Sequence, residues 1–115
     1  MNGSSKIGIS IAGPRTVLIP KEALTQERCE DLEATFRACL QQQDVEIVLD
    51  LTQVPFVDSA ALETFLRMHD ELQLRGSKLK LVGANSVCLD ILVATRLIRV
   101  FSVYESLAKA IRSGP

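Results

Sequence analysis

The segment Val45-Glu46-Ile47-Val48-Leu49-Asp50-Leu51 is almost continuously apolar, and no other stretch constrains the fold so tightly. A strand of this kind must be covered on both faces, the usual situation in a parallel sheet flanked by helices. Parallel neighbours need long crossovers, normally helical, and the chain supplies helical patterns on both sides. Before the strand, Leu32, Phe36, Cys39 and Leu40 fall at i, i+4, i+7 and i+8, one face of a helix. Thr25 is placed to cap that helix and Glu27 lies in its first turn. After the strand, Leu62, Phe65, Leu66, His69 and Leu72 or Gln73 share a face, and Arg75-Gly76 forms a helix stop.

The remaining elements follow from shorter signals. Ile7, Ile9 and Ile11 alternate with Gly8, Ser10 and Ala12, a period of two that predicts a half-buried strand. Gly13-Pro14 turns the chain into a second strand, Thr16-Val17-Leu18-Ile19, ended by Pro20. Lys78 to Gly83 reads as a strand, and Asn85 or Ser86 caps a helix through Val87, Ile91 and Leu92. Val100-Phe101 reads as a last short strand. Ser102-Val103-Tyr104-Glu105 has the S-x-x-E form of a capping box and predicts a terminal helix through Leu107, Ala108 and Ile111. The order β-β-α-β-α-β-α-β-α predicts one α/β domain over residues 6–112, with a mostly parallel mixed sheet, an N-terminal hairpin and about four helices. Residues 1–5 and 113–115 are expected to be frayed ends.

Composition narrows the function. With 13 basic and 14 acidic residues in 115, the formal net charge is −1; no basic stripe is visible, which argues against direct nucleic-acid binding. No apolar run approaches the roughly 20 residues that span a bilayer, so membrane insertion is not expected. The polar start Met1-Asn2-Gly3-Ser4-Ser5-Lys6 lacks a secretory signal's apolar segment. Cys29, Cys39 and Cys88 form no C-x-x-C pair, and His69 is the only histidine. A structural metal is therefore not expected; neither is a cofactor, and the cysteines read as reduced thiols of a cytoplasmic protein. Phosphate-cradling glycine loops, nucleophile elbows and H-E-x-x-H are absent, so the chain does not read as an enzyme. His69, on an apolar helical face, reads as a packing residue.

One junction can carry regulation. Phe56-Val57-Asp58-Ser59-Ala60-Ala61-Leu62 leads from the central strand's loop into a helix. A helix start has unpaired N–H groups and the positive end of the dipole, so an anion attached there is partly stabilised. A phosphate on Ser59 would add roughly −1.5 to −2 charge beside Asp58. In the simpler reading, Asp58 or Ser59 is an ordinary N-cap.

The order and spacing of Ile47-Val48-Leu49-Asp50-Leu51, Val57-Asp58-Ser59-Ala60-Ala61-Leu62, Leu79-Lys80-Leu81-Val82-Gly83 and the closing Val100-Phe101 with Tyr104-Glu105-Ser106-Leu107 resemble a STAS domain. That fold is shared by bacterial anti-sigma factor antagonists and the cytoplasmic tails of sulfate transporters. The resemblance covers Val45 through Ile111. It implies that Ser59 is the phosphoacceptor of an anti-sigma factor that is itself a serine kinase, and that a phosphatase resets it. It further implies that the unmodified form binds the anti-sigma factor, through Asp58, Ala60, Ala61, Glu63, Arg67 and Glu22. The chain departs from the family pattern in two places. Ala60 and Ala61 stand where serine or threonine and then glycine are usual, and Pro20-Lys21-Glu22-Ala23-Leu24 lacks the family's glycine and aspartate, leaving Glu22 as the acidic candidate.

The helix face carrying Glu63, Arg67, Asp70 and Glu71 flanks Ser59 and is the expected partner surface; Arg96 and Arg99 could steer an acidic partner. Two competing readings remain. The first is a non-switching STAS subunit of a larger assembly, a stress-signalling complex or a membrane-associated phospholipid ABC transport complex. The second is nucleotide binding by the domain itself.

Overall fold

Alternate residues of the long apolar strand point into two different cores. In a computed structural model, which describes residues 7–41 and 46–113, this strand is β3 (Glu46–Asp50). Ile47 and Leu49 enter a large core on one side of the sheet, and Val48 a small one on the other, as a two-residue period requires. Five strands line up in sequence order, adding β1 (Ile7–Ala12), β2 (Arg15–Pro20), β4 (Lys80–Val82) and β5 (Ser102–Tyr104). The β1–β2 hairpin is antiparallel; β2–β3, β3–β4 and β4–β5 are parallel. The crossovers carry α1 (Gln26–Cys39), α2 (Ser59–Leu74) and α3 (Ser86–Ala94), and α4 (Leu107–Arg112) ends the described chain. This is the expected α/β class and order of elements.

The large core joins Leu32 and Phe36 of α1, Phe65, Met68 and Leu72 of α2, and Cys88 and Leu92 of α3 to Leu18, Ile47, Leu49 and Leu81 of the sheet. His69 belongs to this layer and is 5% exposed. Its ring stands edge-on to Phe101 at 5.6 Å, and Phe101 in turn stands edge-on to Phe65 at 6.1 Å, the geometry that ring quadrupoles favour. The small core on the opposite face is Val17, Val48 and Val82 under Ala110 and Leu107 of α4. Lys80 is buried there: its ammonium donates to the Ala110 carbonyl at 3.0 Å and to Ser113 Oγ at 3.3 Å, a cation at a helix C-terminus.

Four local expectations change. The half-burial read into β1 holds at Ile7 but not at Ile9 and Ile11, which are 56% and 65% exposed. Val100-Phe101 is not a strand; it follows a 3₁₀ turn, Leu97–Arg99, while Ser102–Tyr104 pairs with β4 as β5. That pairing removes the S-x-x-E capping box, because Ser102 and Tyr104 face Lys80 and Val82 across the sheet. The cap of α4 is Ser106, whose hydroxyl accepts from the Lys109 amide. Thr25 occupies the N-cap position of α1, but its side chain makes no capping bond. Val45, in the expected strand, and residues 42–44 before it lie outside the described residues. So do residues 1–5 and 114–115 of the expected frayed ends; Ser113 is the C-cap of α4.

Candidate functional site

The loop from β3 to α2 is shaped by short polar side chains at both ends. Asp50 Oδ1 accepts from the Thr52 amide at 2.9 Å and the Thr52 hydroxyl at 2.6 Å, an Asx turn that redirects the chain as the strand ends. Gly83 presses on this turn from β4. With φ at +72°, it has a backbone conformation that side chains disfavour, and a Cβ there would lie 2.2 Å from Thr52 Cγ2. Asn85 caps α3 by accepting from the Cys88 amide, while its Nδ2 donates to the Pro55 carbonyl at 3.1 Å. The loop is thus fastened to the start of α3.

Its second half is fastened to the β2–α1 connection. The Leu24 amide donates to the Phe56 carbonyl and the Asp58 amide to the Leu24 carbonyl, both at 3.1 Å, an isolated parallel bridge between Leu24 and Val57. Leu24 and Val57 are 1% and 4% exposed, so burial of two apolar side chains holds the bridge in place. Phe56 between them and the loop's turn is 45% exposed.

Asp58 is the N-cap of α2, and one carboxylate serves two helices. Its Oδ1 accepts from the Ala61 amide and its Oδ2 from the Gln26 amide, each at 3.0 Å. The second bond supplies the cap that Thr25 does not give to α1. The two helix starts therefore converge on one anionic side chain, where orphan N–H groups and dipoles both favour negative charge. A shallow depression beside it is lined by Thr25, Gln26, Glu27, Glu30 and Asp58. Its three carboxylates, with no cation among the lining residues, make it a poor cradle for a phosphate group and a suitable contact for a basic one.

Ser59 is the first residue of α2 and is exposed; among the described residues its hydroxyl takes no hydrogen bond. The other expected site residues divide by position. Ala60 is half-buried and packs against the large core, while Ala61 is fully buried in it. The expectation that the Ala61 methyl meets a partner is thereby corrected: three residues of helix after the cap turn that side chain inward. Glu63 is exposed one turn after Ser59. Arg67, another turn on, is tied to Glu33 of α1 through both Nε (3.1 Å) and Nη2; the bond to Glu33 raises its pKa further. Glu22 lies in the β2–α1 connection and pairs with Arg28 at 2.9 Å. Of the further candidates, Asp70 is exposed and Glu71 half-buried on α2, and Arg96 and Arg99 are exposed at the 3₁₀ turn. Sequence reasoning missed Gln26, Glu27 and Glu30 as neighbours of Asp58, because the bond that brings the start of α1 to it, from the Gln26 amide, spans 32 residues and leaves no local pattern.

The chain matches the family model of the STAS domain over residues 10–110. Similar solved structures include a candidate anti-sigma factor antagonist of Thermotoga maritima, at TM-score 0.87 and 22% identity, covering 93% of this chain and 92% of that one. An anti-sigma-factor antagonist (STAS) domain protein of Planctomyces limnophilus has TM-score 0.83 and 22% identity over 93% and 96% of the two chains. The Bacillus cell fate determinant SpoIIAA in its phosphorylated form has TM-score 0.71 and 15% identity over 95% and 99%. No curated protein matches the chain.

Proposed function

The chain belongs to the STAS domain family, and from that premise we propose that it is an anti-sigma factor antagonist-like regulatory protein, switched off by phosphorylation of Ser59. The single observation that carries this reading is the placement of the Ser59 hydroxyl: exposed, at the first position of α2, beside the Asp58 carboxylate that closes the helix start. A kinase can reach such a hydroxyl without unfolding anything.

In the unmodified state the partner, an anti-sigma factor that is also a serine kinase, packs over Ser59. It rests on Ala60, Glu63, Arg67 and the adjoining Glu22 connection, with Asp58 fixing the geometry from beneath. A phosphate would bring roughly −1.5 to −2 charge to that spot. Asp58 already takes one amide donor from each helix, Gln26 of α1 and Ala61 of α2, so the new charge is only partly compensated by the helix. Burying it in a close-packed contact carries a desolvation cost that the hydroxyl does not. The partner is released until a phosphatase removes the group. The depression with Glu27 and Glu30 gives the same surface a preference for a partner with basic side chains. In this role the chain is a substrate and ligand of enzymes, not an enzyme, and acts in the cytoplasm.

Incubation with such a kinase and ATP, read by intact-mass spectrometry, tests the switch. One added phosphate is expected on the wild type and none on Ser59→Ala, and Ser59→Asp should lose the partner in a pull-down. Absence of modification at Ser59 would sink the proposal. A partner that holds Ser59→Asp as well as wild type would favour a constitutive subunit of a larger assembly.

A further inference from the structure

We infer that two copies of this chain associate edge to edge through β1, in antiparallel fashion, with Ser10 facing its counterpart on a two-fold axis. The proposal shares no residue with the Ser59 site and stands or falls apart from it.

β1 is one edge of the sheet, paired among the described residues with β2 alone. Edge strands of soluble proteins are usually blunted by charge, proline, a bulge or short length. β5, the opposite edge, has three residues. β1 has none of these protections: its six residues, Ile-Gly-Ile-Ser-Ile-Ala, are uncharged and contain no proline. Its register with β2 runs unbroken from Ile7↔Pro20 to Ala12↔Arg15, so no bulge twists it away. Yet Ile9 and Ile11, on the face of the sheet that α1 covers further in, are 56% and 65% exposed. Their direct partners on β2, Leu18 and Thr16, are 0% and 4% exposed. The helical layer covers β1 at Ile7, 6% exposed, and stops short of the rest of the strand.

The strand's own composition selects its occupant. With Ser10 opposite Ser10 of the second copy, Ile9 lies opposite Ile11 on one face, and Gly8 opposite Ala12 on the other. Both pairs are repeated by the symmetry. Large apolar side chains then meet across the seam on the face where the helical layers stop short, and small ones meet on the other face. Directly opposed apolar side chains are the stabilising unit of such a pairing, and no charge on either strand opposes its copy. A closed, isologous contact of this kind ends at two chains. A contact confined to one six-residue strand from each chain is small beside the standard protein interface of about 1,600 Å², so weak association, with a dissociation constant on the order of micromolar, is expected.

Sedimentation velocity on the full chain at about 100 μM, well above such a constant, tests the pairing. The wild type is expected to sediment as a dimer. Ile9→Lys/Ile11→Lys, which sets lysines against each other across the seam, should weaken association at least tenfold. Both isoleucines are exposed, so at concentrations well below the dissociation constant, where both proteins are monomers, circular dichroism and thermal midpoint should stay unchanged. Directly opposed residues of an antiparallel pair lie about 4.5–5.5 Å apart at Cα, within disulfide range. Ser10→Cys should therefore cross-link under mild oxidation far faster than the exposed control Gln73→Cys, and the two lysine substitutions should abolish the difference. The native thiols, at most 7% exposed, do not compete. A monomeric wild type, a dimer that survives both lysines, or Ser10→Cys linking no faster than the control would each overturn the proposal.

Discussion

Asp58 couples two helices that are far apart in sequence, and its removal separates the effects of charge and geometry. Asp58→Ala leaves the Ala61 and Gln26 amides without acceptors. At about 1 kcal/mol for each lost cap, urea denaturation should show a loss of about 2 kcal/mol. Asp58→Asn keeps one acceptor oxygen and should lose roughly half as much. Amide exchange should speed up at both Gln26 and Ala61 in the alanine variant; an effect confined to Ala61 would mean the bond to α1 carries no energy. Gly83 is the second decisive single residue. Gly83→Ala combines a positive φ, costing about 1–2 kcal/mol, with a contact of 2.2 Å against Thr52 Cγ2. The overpacking adds about 1–3 kcal/mol, so a total near 3 kcal/mol is expected by chemical denaturation. Thr52→Ser removes the offending methyl and should restore part of the loss in the double variant.

At the scale of elements, legibility tracked how local the determining interaction is. β3 was readable because burial on both faces writes itself into every residue of the strand, and the ends of α2 because Asp58 and Gly76 act within one turn of their own helix. β1 was readable as a strand, but its burial was not, since that depends on how far α1 reaches across the sheet. The capping box at Ser102 was a valid local signal that lost to pairing with β4. Ser106→Ala should therefore destabilise by about 1 kcal/mol, whereas Ser102→Ala should leave α4 unaffected by circular dichroism; equal losses would restore the capping-box reading. The Ser59 junction was legible by motif and its exposure by cap position, while the inward turn of Ala61 and the acidic depression needed the packed helices. Burial also sets a pH response in α1 and α3. Desolvation raises the thiol pKa of Cys29, Cys39 and Cys88 above the ordinary value; for Cys29 the nearby Asp58 and Glu33 push the same way and the Thr64 hydroxyl opposes. A raised folded pKa means that the native state holds its protons longer than the unfolded chain. The stabilisation is complete below the unfolded thiol pKa of about 8.5 and fades as pH climbs through the folded values. Unfolding free energy should fall above about pH 8.5, and Cys→Ala replacements should flatten that alkaline slope.

Across the whole molecule the sheet divides the stabilising contacts unequally, and that division predicts where the fold opens first. Three helices and the aromatic stack of Phe65, His69 and Phe101 cover one face, while α4, six residues long, covers the other. A helix of that length has no stability of its own. It is held by Ala110 and Leu107 on three valines and by the bonds that include Lys80 to Ala110 and Ser113. A local opening that releases α4 loses only the small cluster, so its amides should exchange through sub-global unfolding. The expectation is a protection free energy at Ala110 and Ser113 at least about 2 kcal/mol below that of the Phe65 amide in α2, about thirtyfold in exchange rate. Lys80→Met keeps an apolar stem in the valine layer and removes a charged hydrogen bond worth about 1.5–3 kcal/mol. It should speed exchange in α4 while leaving α2 protection much less changed. If α4 instead exchanges with the same free energy as α2 in the wild type, the two faces unfold as one cooperative unit, and the small core is coupled to the large one through the shared strands.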